Sequence, residues 1–193
     1  MGNYTIIEDT GMRLVTMLQD AMVPELISSD SEIGLRSPED RGDVALGLFL
    51  YDVRQSEEVF QPMRVVHNER ISRPPLYLSL YYMITAYARG DAAYRLTQDA
   101  LILGRVIQFF HDNPVIPVEK VDAQAADGIE LHVQMLDLDM DEKSKIWSFP
   151  NVGNRLSLFY RISPVAVDSA VSRAFARVAE VDVHVSPREV QRD

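Results

Sequence analysis

Histidine, paired carboxylates and tyrosine are the residue types left to do chemistry here, because the 193-residue chain has no cysteine. That absence removes thiol nucleophiles, disulfides and cysteine-ligated metals together. The four histidines, His67, His111, His132 and His184, stand 44, 21 and 52 residues apart, so neither HxxxH nor HExxH occurs. His132 falls on the polar side of an alternating run. His111 ends a helical one, where a cation suits the helix dipole. The run Asp137-Leu-Asp139-Met-Asp141 begins like a calcium loop, which needs Gly at its sixth position and Glu at its twelfth. Glu142 and Ser148 hold those places. Asp139 and Glu142 have instead the spacing of a capping box, opening a short helix through Trp147. No GxSxG, GxxxxGK or GxGxxG is present, which leaves out the commonest nucleophile elbow and phosphate loops. Tyr77, Tyr81, Tyr82 and Tyr87 lack interleaved Lys or Arg, so packing is expected of them rather than base stacking. The remaining carboxylate pairs lie in polar loops, where water solvates them. Nothing in these residues is arranged like an active site, and no catalytic, cofactor or metal site is expected.

Charge narrows the partners. Nineteen basic residues against 29 acidic ones give a net charge of −10. Such a balance opposes nucleic acid or an anionic membrane surface as the partner, since phosphate binding needs a basic face. Sixteen of the nineteen basic residues are Arg, a residue suited to forked ion pairs at interfaces; the three Lys are Lys120, Lys143 and Lys145. The acids cluster. Asp30–Glu58 holds eight against three Arg, and Glu119–Glu142 holds eight against Lys120 alone. Both segments read first as solvated faces. Apolar residues at 47% and charged ones at 25% are ordinary for a folded domain. No apolar run approaches a membrane span, and Glu8, Asp9 and Arg13 interrupt the first twenty residues, so a cytoplasmic chain without a signal peptide is expected.

Periodicity supplies the elements. Ile7, Leu14, Val15, Leu18, Ala21, Met22 and Leu26 define one helical face from about Tyr4 to Met22, ended by Pro24. The segment from Ser28 to Gly42 reads as a loop with a short strand at Glu32–Arg36. Val44–Val53 is apolar on both alternating sets and predicts a central strand covered on both faces. Arg54–Pro74 reads as a polar linker or hairpin, and Leu76–Ala88 as a strand rich in aromatic and β-branched residues. Between Asp91 and Asp112, Ala93, Leu96, Ala100, Leu103, Ile107 and Phe110 form one helical stripe, with Gly104 inside it implying close packing. Ile129–Met135 alternates with one wet face. Leu156–Ile162 alternates up to a boundary at Pro164. Val181, Val183 and Val185 form an edge-like strand or arm in the tail, able either to finish its own sheet or to add to a neighbouring one. The order fits an α+β domain: a mostly antiparallel mixed sheet with two long amphipathic helices packed on one side. A single domain is expected over residues 1–170, followed by an arm at 171–193.

Four blocks together resemble a known family: LFLYDV (Leu48–Val53), PPLYLSLYYMITAYA (Pro74–Ala88), LILGRVIQFFHDNPVIP (Leu101–Pro117) and the LDLDMDEKSKIWSFP…RLSLFYRISPVAVDS run (Leu136–Ser169). They are similar to the cap or tail-terminator proteins of extracellular contractile injection systems, the antifeeding-prophage type of phage-tail-like particle. The likeness spans roughly residues 4–170. It implies a terminator-like α+β fold and a structural, non-catalytic role, in which a homo-oligomeric, six-fold ring on the last layer of inner tube and sheath ends polymerisation. Arg155, Arg161 and Trp147 in the last block, with Val181, Val183 and Val185 of the tail, are the interface candidates. Alternatives of other kinds are a different adaptor or tail-completion protein of such a particle, and a small-molecule-binding domain or enzyme.

Overall fold

A computed structural model describes residues 4–56, 65–67, 70–117 and 130–174. Helix α1 (Ile6–Met22) carries the apolar face its spacing predicts, burying Leu14, Val15, Leu18 and Met22. A 3₁₀ turn at Asp30–Glu32 leads into β1 (Ile33–Leu35), followed by β2 (Leu46–Gln55), the hairpin strands β3 (Val65–His67) and β4 (Arg70–Ser72), and β5 (Leu76–Ala86). Helix α2 (Ala92–Asp112), β6 (Val115–Ile116), β7 (Leu131–Met135), the short helix α3 (Met140–Ile146), β8 (Ser157–Val167) and β9 (Ser172–Ala174) complete the order.

The main sheet has six strands in the order β1-β2-β5-β8-β7-β6, and β3-β4-β9 form a second, three-stranded sheet. Only the β1–β2 pair is parallel among the described pairings. The expected mixed, mostly antiparallel sheet is therefore the observed one. Both edge strands are very short, two or three residues, and β1 pairs with only the first three residues of β2.

The two faces of the sheet build separate cores. Against one face lie α1 and α2, whose Leu14, Leu18, Val106 and Phe110 pack with Leu48, Leu80, Tyr82 and Ile162 of the strands. Gly11 permits the close crossing of α1 over β1, since a Cβ there would lie 3.0 Å from both Leu35 and the Tyr82 hydroxyl. On the opposite face Met83 and Phe159 receive Trp147, with Phe49, Tyr51 and Phe149 around them. The alternation of β5 and β8 sends neighbouring residues into different cores, which is what period two means physically.

Three sequence expectations change. Strand β2 is apolar on both sides as predicted, yet only Leu46–Leu48 is buried, and Val53–Gln55 is exposed because β1 flanks just its first three residues. Pro164 does not bound the last long strand: β8 runs through it to Val167. It lies where the β5–β8 register shifts, between Leu78 and Leu80, so the missing N–H interrupts no regular ladder position. The stripe assigned to α2 is also out of phase. Ile102, Leu103, Val106 and Phe110 are its buried residues, whereas Ala93, Leu96, Ala100 and Ile107 face outward. Gly104 packs against nothing, for a Cβ added there would meet no atom within 4 Å.

Asp139 opens α3 as expected. Its carboxylate accepts the Glu142 N–H at 2.8 Å, and the Glu142 carboxylate accepts the Asp139 N–H at 3.0 Å. Replacing Asp139 with alanine removes one arm of this reciprocal cap and should cost about 1 kcal/mol, read from urea unfolding. An unchanged midpoint would mean that α3 is held by its tertiary contacts alone.

Candidate assembly surfaces

Of the six interface candidates, Arg155 precedes β8 and Arg161 lies within it, six residues apart, or about 20 Å along extended chain. The Arg155 guanidinium stands 3.5 Å from the Asp99 carboxylate and 5.4 Å from the centre of the Tyr87 ring. Arg41 approaches the same ring at 5.2 Å. Asp99 also accepts the Ala88 N–H at 2.8 Å, so this cluster ties the end of β5, helix α2 and the approach to β8 together. Arg161 faces the second core, where it donates to the Gln134 side chain at 2.5 Å across the β7–β8 pair. Trp147 is 4% exposed and sits between these regions, edge-on to Phe149 at 6.0 Å. That burial leaves it almost no surface to offer a neighbour. The three are thus spread apart rather than gathered into a site. Val181, Val183 and Val185 lie outside the described residues.

The acidic segments are partly engaged within the chain. Asp43 meets Arg89 at 3.0 Å, Asp52 meets Arg54 at 2.6 Å and Asp141 meets Lys145 at 2.5 Å. Each of these pairs is largely exposed and contributes little to stability. Asp30, Glu32, Glu39 and Asp40 remain at the surface around β1. Residues 118–129 of the second acidic segment lie outside the described residues.

Little in the geometry is suited to bond-making chemistry. Among the described residues no three His, Asp or Glu side chains come together as a metal site. His111 and His132 are exposed on separate elements, and His184 falls outside the described residues. Burial pushes the phenols of Tyr51, Tyr82 and Tyr160 up to about 12, the nearby Arg54 opposing the rise at Tyr51. Burial likewise raises Tyr87. These phenols stay neutral at physiological pH and serve packing, as their sequence context suggests.

Two surfaces stand out that the periodicity did not reveal. The first is the outer face of α2, where Leu96, Leu101 and Ile107 are 74%, 50% and 40% exposed. Ala93, Thr97, Ala100, Gly104 and Gln108 complete it, all exposed and none charged. Of the ionised residues of α2, Arg95 and Asp99 project to the far side of the helical wheel, Arg105 and Asp112 border this face beside Leu101, and His111 lies at its C-terminal end. The second is a groove of about 490 Å³ where β1 parts from β2, lined by Tyr4, Ile7, Leu35, Leu48, Leu50 and Tyr82 among others. The first is uncharged and the second largely apolar, with Glu8 and Arg36 also in its lining; on a strongly acidic chain such areas are the kind that marks contact sites.

The described residues thus present a mixed-sheet α+β domain with two exposed, largely apolar surfaces and no gathered catalytic cluster. The chain belongs to the Pvc16 N-terminal domain family, which matches residues 10–180. Its fold is shared with the sheath/tube terminator of PVC, an extracellular contractile injection system, in the extended state, at 16% identity and a TM-score of 0.67. That similarity covers 95% of this chain and 64% of the other. The tube-terminating cap of the anti-feeding prophage is similar at 15% identity and a TM-score of 0.56, over 95% of this chain and 62% of that one. The chain therefore spans a little under two thirds of either relative. No curated protein sequence matches it. No helix among the described residues is long and apolar enough to cross a membrane.

Proposed function

We propose that the chain caps a contractile injection particle: copies form a ring, expected to be six-fold, on the last layer of inner tube and sheath and end polymerisation there. The observation that carries this reading is the shared fold over 95% of the chain with a sheath/tube terminator and a tube-terminating cap. The family match over residues 10–180 agrees with it. Capping needs contact surfaces and no reaction. In this reading the chain assembles in the cytoplasm, takes inner tube and sheath as partners, and uses no cofactor. The domain of residues 1–170 sits on the particle, and the arm at 171–193, whose first residues pair with β4 as β9, leads away from it.

A ring must also hold together against its own charge. Six copies at −10 each carry about −60, so adjoining subunits are best joined through uncharged faces or through Arg–carboxylate pairs. We assign the copy-to-copy contact to the uncharged face of α2, supported by the acids around β1 meeting Arg of a neighbour or of the tube and sheath. Screening then loosens the charged contacts and leaves the apolar one.

Particles made without this chain should show tubes and sheaths of widely scattered length in negative-stain images, and restoring the chain should return one length. Tubes of normal, uniform length without it would refute the capping role. Retention of the chain at the baseplate end would favour an adaptor function instead.

A further inference from the structure

We propose that the C-terminal segment around Val181, Val183 and Val185 of one copy adds as a strand to the open edge of β2 in the next copy, seated in the groove beside Leu50. The acceptor is visible in the backbone. Strand β1 pairs only with Leu46–Leu48, and the Arg36 N–H donates to the Leu48 carbonyl at 3.0 Å before the chain leaves through Ser37 and Pro38. Backbone groups alternate sides along a strand, so Leu50 turns its N–H and C=O the same way as Leu48. Among the described residues no strand meets them there. The groove of about 490 Å³ at this place offers Ile7, Leu35 and Leu50 as an apolar wall.

The opening is short and has a defined end. Beyond it Asp52 accepts the Val53 N–H at 2.8 Å and the Arg54 guanidinium at 2.6 Å. A charged pair that satisfies an edge N–H is how strands are kept from pairing. Only Phe49–Tyr51 is thus left open, a length suited to one or two alternating valines.

The donor is legible in the sequence. Val181, Val183 and Val185 alternate with Asp182 and His184, so an added strand would put its valines on one side and its polar groups on the other. Val183 lies nine residues after Ala174, the last residue of β9. Extended, those nine residues reach about 30 Å, against a radius of gyration of about 16 Å for a domain of this size. The segment is long enough to leave its own domain. Donor and acceptor are different surfaces, so handing the strand on is a heterologous contact, the kind that closes into rings. This last step rests on the capping reading; the strand addition itself does not.

The absence of cysteine makes the test clean. Ser37→Cys, on the rim of the groove, is combined in turn with Val181→Cys, Val183→Cys and Val185→Cys, and particles carrying each double variant are oxidised and run on a denaturing gel. A disulfide needs Cα atoms within about 7 Å, so a link reports adjacency. The expected result is a ladder of covalently joined copies with at least one tail position, lost when Val183→Pro is added beside it. A compact, internally linked monomer would overturn the proposal by showing the arm on its own edge. Unlinked monomer at all three positions, in particles that contain the chain, would overturn it too. A chain missing from the particles would sink the capping reading instead, and the same gel on concentrated purified chain would then decide the strand addition. Amide exchange at Leu50 supplies a second readout: protection in the full chain's assembly, lost on deleting residues 178–193.

Discussion

Replacing Trp147 with alanine should destabilise the chain by about 3–5 kcal/mol, the usual cost of truncating a buried aromatic. Helix α3 buries none of its own residues. Trp147 is the one buried side chain that the segment from Leu136 to Val152 lends to the second core, beside the half-buried Leu136, Leu138, Ile146, Phe149 and Val152, and it closes α3 by donating its backbone N–H to the Lys143 carbonyl at 3.0 Å. Its indole covers Met83 and Phe159, themselves 0% and 2% exposed. Removing it opens a cavity over these two core residues. Urea unfolding should show a lower midpoint with an unchanged slope, while Met140→Ala, at a position 78% exposed, should stay within about 0.5 kcal/mol of the parent. The alternative is that Trp147 serves an interface. In that case Trp147→Ala would leave the unfolding midpoint in place and remove the chain from particles.

The elements that can be read from the sequence are those that carry a complete pattern of their own. Strand β5 alternates over eleven residues, α1 shows its stripe over seventeen, and Asp139 and Glu142 announce a cap whose two hydrogen bonds both form. Strands of two or three residues, such as β6 and β9, hold too little sequence for a period. Pro164 reads as a stop because a regular ladder has no place for it, and only the register shift of β5 makes one. The phase of α2 is hidden for a more instructive reason. Two stripes share Leu103 and Phe110. One contains Leu96, Ala100 and Ile107; the other contains Asp99, Ile102 and Val106, and a carboxylate argues against burial. In the fold Asp99 is turned inward and satisfied, by the Ala88 N–H and by Arg155, contacts far apart in sequence. The same blind spot hides the exposed apolar face of α2, because residues that read as core are the ones left outside. The alternation of Val181, Val183 and Val185 predicts a strand but does not name the strand it pairs with.

Charging that outer face should separate folding from capping. Gly104 sits in the interior of α2 at a cost of about 1 kcal/mol relative to alanine, and within the chain nothing repays it, since a Cβ there would meet no atom within 4 Å. Gly104→Ala should therefore stabilise the isolated chain by up to about 1 kcal/mol. Gly104→Glu, a good helix former in open space, should fold at least as well as the parent. In a ring the account reverses. Where α2 meets a neighbouring copy, a missing side chain allows close approach, and Leu96 and Ile107 flank the gap with apolar surface that is 74% and 40% exposed in the single chain. A carboxylate placed there must be desolvated against a partner already carrying −10. Gly104→Glu and Leu96→Glu should each lower the fraction of capped particles at least tenfold, or about 1.4 kcal/mol in the binding equilibrium, without lowering the melting temperature. The measurement is quantitative: chain retained per particle, set beside thermal unfolding of the same variants. Normal retention with both substitutions would remove α2 from the interface and leave the Arg–carboxylate contacts and the strand exchange to hold the copies together.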